Sequence, residues 1–119
     1  MRFQKFEDII AWQKGQDLAI FTYKLFSNNR DFSFKDQICR ASVSVSNNIA
    51  EGFDRGSNKE FQRFLYISRA SASEVKSMFY LAKKLEYINE NDFNIGISLS
   101  SEIGKIINGL IHSLDKPTE

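Results

Sequence analysis

The stretch that decides the fold runs from Ser46 to Phe61 and reads SNNIAEGFDRGSNKEF. Its glycines and polar residues suggest a phosphate-binding loop, but their G-x-x-x-G spacing lacks the Gly-Lys-Ser/Thr ending of a Walker loop and no strand precedes it. A corner between two helices explains the stretch better. Gly52 or Gly56 can end a helix in the left-handed conformation. Ser57, with Glu60 three residues later, forms a capping box that begins the next helix.

Hydrophobic periodicity extends this pattern over most of the chain. Apolar residues recur every three or four positions, without a competing strand pattern, in four segments at about residues 7–27, 34–54, 58–87 and 90–115. The second segment is predicted to begin at Ser33, followed by Asp36, and the fourth near Asn89, followed by Asp92. The sequence therefore predicts an all-α protein, one domain over residues 1–119 folded as an antiparallel up-down-up-down four-helix bundle.

The residue types needed for catalysis or metal binding are scarce. Cys39 is the single cysteine, which excludes an internal disulfide and a cysteine-rich zinc site. His112 is the single histidine, and Gly109 stands where the Glu of a bundle-core Glu-x-x-His metal motif would be. Cys39 fits a small buried hydrophobic residue better than a nucleophile paired with His112. We expect no enzyme activity, no catalytic residues, no metal and no cofactor, and the sequence leaves the roles of Cys39 and His112 open.

Composition and charge limit the classes of protein and the cellular locations that fit the sequence. The chain has 119 residues, 42% of them hydrophobic and 26% charged, which are ordinary globular values. It shows no apolar run long enough for a signal peptide or a membrane span, so we expect a cytoplasmic protein without a membrane partner. The net charge of +1 argues against coating nucleic acid by bulk charge alone.

The charges are nevertheless unevenly distributed. Residues 55–85 carry seven basic and two acidic side chains, whereas residues 86–119 carry two basic and six acidic ones. Basic residues and a tyrosine in the predicted third helix are candidates for nucleic-acid contact, because cations bind phosphates and an aromatic ring can stack on a base. These candidates are Arg55, Lys59, Arg63, Tyr66 and Arg69. A solvated basic face is the alternative interpretation.

The third helix also carries more apolar and aromatic surface than one core stripe needs. In a monomeric bundle the outward side of a helix is polar, so the excess favours contact with another subunit. The candidate interface residues are Phe64, Tyr66, Ile67, Met78, Tyr80 and Tyr87. The alternative is a wide stripe that contacts both neighbouring helices of the same chain.

Residues of the turn itself have structural roles in this interpretation. Glu51 and Arg55 are four residues apart and can form an ion pair on one helix face. Asn48 shares the stripe of Gly52 and would lie at a helix seam, where its amide needs hydrogen-bond partners. The turn set comprises Asn48, Glu51, Gly52, Arg55, Gly56, Ser57, Glu60 and Phe61.

Several of these motifs together resemble a known family. They are the Trp-Gln-Lys at residues 12–14, NIAEG at residues 48–52, and the Arg-x-Ser-x-x-Glu-Phe turn from Arg55 to Phe61. Over about residues 6–88 the chain resembles the four-helix bundle proteins encoded within intervening sequences of bacterial 23S ribosomal RNA genes. The resemblance implies an antiparallel bundle that assembles into a homopentamer and has no known enzyme activity. Cys39 replaces a basic residue usual in that family, and Ser46 replaces its proline, which predicts a straighter second helix.

Two functional hypotheses follow from the sequence. The first is a non-enzymatic oligomeric bundle that acts as a scaffold or interaction module. The alternative is an RNA- or DNA-binding protein that uses the basic strip of the third helix on the assembled oligomer.

Overall fold

The computed structural model describes residues 3–115 and contains four helices that follow a short 3-10 turn. The turn spans Phe6–Asp8, and the helices are α1 (Ile10–Leu25), α2 (Phe32–Asp54), α3 (Asn58–Lys84) and α4 (Glu90–Ser113). Each helix packs on its neighbours in the chain, and α4 closes the bundle against α1. The Cα trace extends 51 × 20 × 19 Å. This confirms the predicted all-α, antiparallel up-down-up-down four-helix bundle. Helix α2 continues without interruption through Ser46.

Side-chain caps begin three of the helices. Ser57 Oγ accepts a hydrogen bond from the Glu60 N–H at 3.1 Å, and Asn89 Oδ1 accepts one from the Asp92 N–H at 2.7 Å. These two caps agree with the sequence prediction. The predicted cap at Ser33 is wrong, because Asp31 Oδ1 accepts from the Phe34 N–H at 3.1 Å and α2 begins at Phe32.

The first helix begins later than predicted, at Ile10 rather than near residue 7. Ile9 has an extended backbone, with φ −80° and ψ 119°, and its side chain is buried. The preceding 3-10 turn places the Phe6 ring edge-on against Trp12, with 5.3 Å between ring centroids. Burying Ile9 and packing Phe6 both require the chain to bend before the helix begins.

The ends of α2 and α3 depend on residues with positive φ. Gly56, at φ 82°, follows α2 and turns the chain toward Ser57. Glu86, at φ 61°, ends α3 three residues before the predicted boundary at 87. The Tyr87 N–H donates to the Ala82 carbonyl at 2.8 Å and the Glu86 N–H to the Lys83 carbonyl at 3.0 Å. These two bonds form a Schellman motif with glutamate in the position that glycine usually takes.

The core is a column of aliphatic and aromatic side chains contributed by all four helices. Its fully buried members include Leu18, Ile38, Val45, Ile49, Leu65, Val75, Phe79, Ile103, Ile107 and Ile111. Small buried serines let α2 and α3 approach closely, and their hydroxyls are satisfied. Ser68 Oγ, for example, donates to the Val45 carbonyl at 2.6 Å and joins the two helices.

A hydrogen bond joins the start of α2 to the loop after α3 and stabilises one end of the bundle. The Tyr87 hydroxyl donates to Asp31 Oδ2 at 2.7 Å, and the Tyr87 ring packs edge-on against Phe34 at 5.3 Å between centroids. The Tyr87 bond, followed by the bond from the Phe34 N–H, lowers the pKa of Asp31. The same bond to Asp31 raises the pKa of Tyr87.

The Tyr87→Phe variant is expected to be less stable than the wild type at neutral pH because Asp31 loses its hydroxyl donor. Since the folded-state pKa of Asp31 is depressed, this stability is present above the unfolded pKa of about 4 and is lost as the pH falls through the folded value. Urea midpoints of the two proteins should therefore converge on acidification. Tyr23→Phe, at a half-exposed tyrosine, is the control and should match the wild type at every pH. A pH-independent gap for Tyr87→Phe would contradict this account.

Candidate functional site

The close approach of α2 to α3 begins at Gly52. A Cβ atom placed on Gly52 would lie 2.4 Å from the Phe64 Cβ and 3.1 Å from its Cγ, so the contact admits no side chain. Beside it, the Phe53 and Phe61 rings pack edge-on with 5.7 Å between centroids. Gly52 is therefore required for close packing, and Gly56 is the glycine that turns the chain.

Charged residues of the turn form one network around the Phe64 ring. Arg55 Nη2 lies 3.3 Å from Glu51 Oε1, as the spacing predicted, and Arg55 Nη1 lies 4.0 Å from Glu60 Oε1. Arg63 Nε donates to Glu60 Oε2 at 2.9 Å. Both guanidinium groups lie over Phe64, at 4.9 Å for Arg55 and 4.7 Å for Arg63 from the ring centroid.

The Glu60 carboxylate is therefore engaged by arginine. The hydrogen bond from Arg63 is the main cause of its lowered pKa, and the same bond raises the pKa of Arg63. Ser57 makes its half of the predicted capping box, while the Glu60 side chain binds Arg63. The network stabilises the corner. It includes Arg55 and Arg63, two of the cations that were predicted to contact nucleic acid.

Asn48 lies at the seam between α2 and α3, as its stripe indicated. Its Nδ2 donates to the carbonyl and the Oγ of Ser44, both at 2.8 Å. Ser44 Oγ lies 2.8 Å from Ser71 Oγ on α3. Asn48 thus belongs to a row of polar side chains between the two helices, close to the Ser68 bond, and its Nδ2 donates within the chain.

The structure divides the proposed nucleic-acid strip into two parts. Arg55 and Arg63 belong to the turn network, and Lys59 is exposed on the first turn of α3. Arg69 lies at the boundary with α4, where its Nη1 donates to Asn108 Oδ1 at 2.7 Å and its guanidinium covers Tyr66 at 4.8 Å. Sequence reasoning missed Asn108, because no local spacing relates it to a residue 39 positions earlier.

The structure buries two of the six candidate interface residues and leaves the other four exposed. Phe64 and Met78 are only 6% and 8% exposed, so assigning them to a partner surface is wrong for this conformation. The wide-stripe alternative describes both better, because Phe64 packs over Gly52 and Met78 joins the core cluster.

The four other candidates keep exposed surface but lie in different places. Tyr80 packs edge-on against Phe93 of α4, and Tyr66 lies under Arg69. Tyr87 is bonded to Asp31 at the bundle end. Ile67 lies on the part of α3 that turns away from α4, on the same side as exposed Leu81 and Leu85.

The described residues assemble no catalytic pair from Cys39 and His112. Cys39 is buried on α2, and burial raises the pKa of its thiol, which disfavours the reactive thiolate. His112 is exposed near the end of α4, and within residues 3–115 the backbone of α4 does not come close to that of α2. Within the same range, no three His, Cys, Asp or Glu side chains come close enough to hold a metal ion. Across that range, none of the helices has the length and hydrophobicity that crossing a bilayer requires.

The fold defines the class of protein, an antiparallel four-helix bundle in which Gly52 packs against Phe64 at the corner between α2 and α3. The chain belongs to the 23S rRNA-intervening sequence protein family, whose model matches residues 7–109. It is also similar to a crystal structure of a protein of unknown function from the S23 ribosomal protein family of Bacteroides thetaiotaomicron. That similarity has 27% identity and a TM-score of 0.80, and covers 85% of this chain and 97% of the other. No curated protein matches the sequence.

The contact at Gly52 gives a direct test of the corner. Gly52→Ala is expected to destabilise the protein by about 1–3 kcal/mol, because the added methyl overlaps Phe64 and forces the helices apart. Gly109→Ala is the control, since a Cβ there meets nothing within 4 Å. The control should be stabilised by up to about 1 kcal/mol through helix propensity. Chemical denaturation measures both variants, and equal effects of the two substitutions would contradict the close-packing role.

Proposed function

We propose that this chain is a non-enzymatic bundle that self-associates and acts as a scaffold. The proposal rests on an exposed apolar stripe on one side of α3. Its large members, Ile67, Leu81 and Leu85, are between 41% and 47% exposed. A helix that packs only within its own bundle has a polar outer side, and an exposed apolar stripe favours a helix of another subunit.

The spacing of the stripe suits helix–helix contact. Exposed positions follow one another at intervals of three or four residues along the outer side of α3, in the order Ile67, Ala70, Glu74, Ser77, Leu81 and Leu85. The small side chains of Ala70 and Ser77 leave room for the backbone of a helix from another subunit. The large apolar residues lie on either side of them along α3. Glu74 in the middle accepts a hydrogen bond from Gln37 Nε2 at 3.3 Å, which turns its carboxylate toward α2.

Family membership is compatible with this function. The resemblance noted from the sequence implies a homopentamer, and we adopt that stoichiometry for the proposal. The solved relative from Bacteroides thetaiotaomicron is described as a protein of unknown function, so it supplies no competing activity. A single, buried, unpaired cysteine suits the reducing cytoplasm.

The alternative, nucleic-acid binding by the complete strip on α3, receives less support. Arg55 and Arg63 are balanced by Glu51 and Glu60, and both guanidinium groups also pack on Phe64. A phosphate at this position would have to compete with carboxylates already in place. The turn arginines are therefore assigned to stability.

Sedimentation velocity at micromolar concentration tests the proposal. The wild type should sediment as an oligomer of about five 13.7 kDa chains, and Ile67→Gln with Leu81→Gln should dissociate it. The matched control is Ile10→Gln with Ile20→Gln, which replaces two similarly exposed isoleucines on α1 and should keep the wild-type mass. Far-UV circular dichroism checks that all three proteins are folded. A monomeric wild type, or two double variants with the same mass as the wild type, would contradict the proposal.

A further inference from the structure

A groove with three cationic side chains runs between α3 and α4, on the side of α3 away from the apolar stripe. Its volume is about 340 Å³. Three cationic side chains line it, Arg69 and Lys76 from α3 and Lys105 from α4, together with hydroxyls that include Ser73 and Ser101. None of its lining residues is acidic. A groove with this lining attracts anions.

The neighbouring acids on both helices are turned away from the groove. Glu102 of α4 forms an ion pair with Lys14 of α1, with 3.1 Å between Oε1 and Nζ. Glu74 of α3 accepts its hydrogen bond from Gln37 of α2. Lys76 and Lys105 have no carboxylate partner within residues 3–115. Their charges are therefore free to bind a ligand, unlike those of the turn arginines.

Two further features fix the geometry of the site. Asn108 accepts from Arg69 Nη1 at 2.7 Å and holds the guanidinium at one end of the groove. Gly104 lines the groove without a side chain, and a Cβ placed there meets nothing within 4 Å. A bulky phosphate can thus approach the α4 backbone between the cations.

Tyrosines flank the groove along α3. Tyr66, Ser73 and Tyr80 are seven residues apart, so they share one side of the helix, and Ser73 lines the groove. Each tyrosine is 47% exposed. At a rise of 1.5 Å per residue the two rings are separated by about 21 Å along the helix axis, which several nucleotides of one strand can span. Cations in a groove with aromatic rings beside it are the usual elements of single-strand recognition.

We propose that the α3–α4 groove binds the sugar–phosphate backbone of a single-stranded nucleic acid. Lys76, Lys105 and Arg69 contact the phosphates, and the hydroxyls of Ser73 and Ser101 donate to phosphate oxygens. Tyr66 and Tyr80 stack on bases at either end. Because contacts to phosphates and sugars carry no sequence information, binding through this groove is independent of sequence. The site is complete within one chain and is distinct from the proposed self-association stripe.

Fluorescence anisotropy with a labelled, mixed-sequence single-stranded RNA tests the proposal. Lys76→Gln with Lys105→Gln should weaken binding at low salt by about tenfold or more and reduce the slope of log K against log salt by about 1.4, or 0.7 for each lost phosphate contact. The matched control removes two exposed lysines elsewhere, Lys5→Gln with Lys24→Gln, and should keep the wild-type slope.

A second pair of variants separates charge in the groove from damage to the fold. Gly104→Ala and Gly104→Glu both place a side chain in open space and both raise helix propensity, so both should fold. Gly104→Glu adds a carboxylate to the groove and should abolish binding, whereas Gly104→Ala should retain it within about threefold. Each groove variant should sediment with the wild-type mass, which distinguishes loss of binding from loss of assembly.

Other outcomes would overturn the proposal. One is a wild type that does not bind the strand at low salt. Another is an equal loss of affinity in the groove and control lysine pairs. Displacement of the strand by inorganic phosphate, beyond the effect of chloride at equal ionic strength, would indicate a small-anion site instead. Equal affinity for a duplex of the same sequence would exclude single-strand recognition.

Discussion

The contact between Gly52 and Phe64 is the constraint on which the rest of the bundle depends. It brings the backbone of α2 against a side chain of α3 at the point where the chain reverses direction. Farther along the pair, the helices remain close enough for Ser68 to bond the Val45 carbonyl and for Ser44 to meet Ser71. Because these small and polar residues are satisfied between the helices, α2 and α3 form a close-packed pair against which α1 and α4 bury their apolar sides.

This constraint also determines what the charged residues of the corner can do. Phe64 packs against Gly52 through its Cβ and Cγ atoms, and the guanidinium groups of Arg55 and Arg63 lie over its ring. Their carboxylate partners then complete a neutral network. The motif that looks functional in the sequence therefore stabilises a turn. Two cations without a carboxylate partner in the described residues, Lys76 and Lys105, lie away from the corner in the α3–α4 groove.

Local signals predicted the fold well because a helical bundle is specified by local patterns. The apolar period placed four helices, and Ser57 and Asn89 capped two of them as expected. The predicted helix boundaries were wrong where neighbouring residues could each end or begin a helix. Asp31 caps α2 in place of Ser33. Glu86 ends α3 in a conformation that glycine usually adopts. The site was harder to predict. The Arg69–Asn108 bond and the pairing of Lys76 with Lys105 in one groove join residues far apart in the chain, and no spacing rule encodes them.

We infer from this packing that α2 and α3 form the most stable unit of the protein. Native-state hydrogen exchange followed by NMR tests it most directly, because it reports the opening free energy of each amide. Amides of α2 around Val45 and Ile49, and of α3 around Leu65 and Ser68, should exchange slowest and only through global unfolding. Amides near the ends of α1 and α4 should exchange through smaller openings. If α1 and α4 were the most protected helices, while the α2–α3 pair opened with less than the global unfolding free energy, this pair would not be the most stable unit.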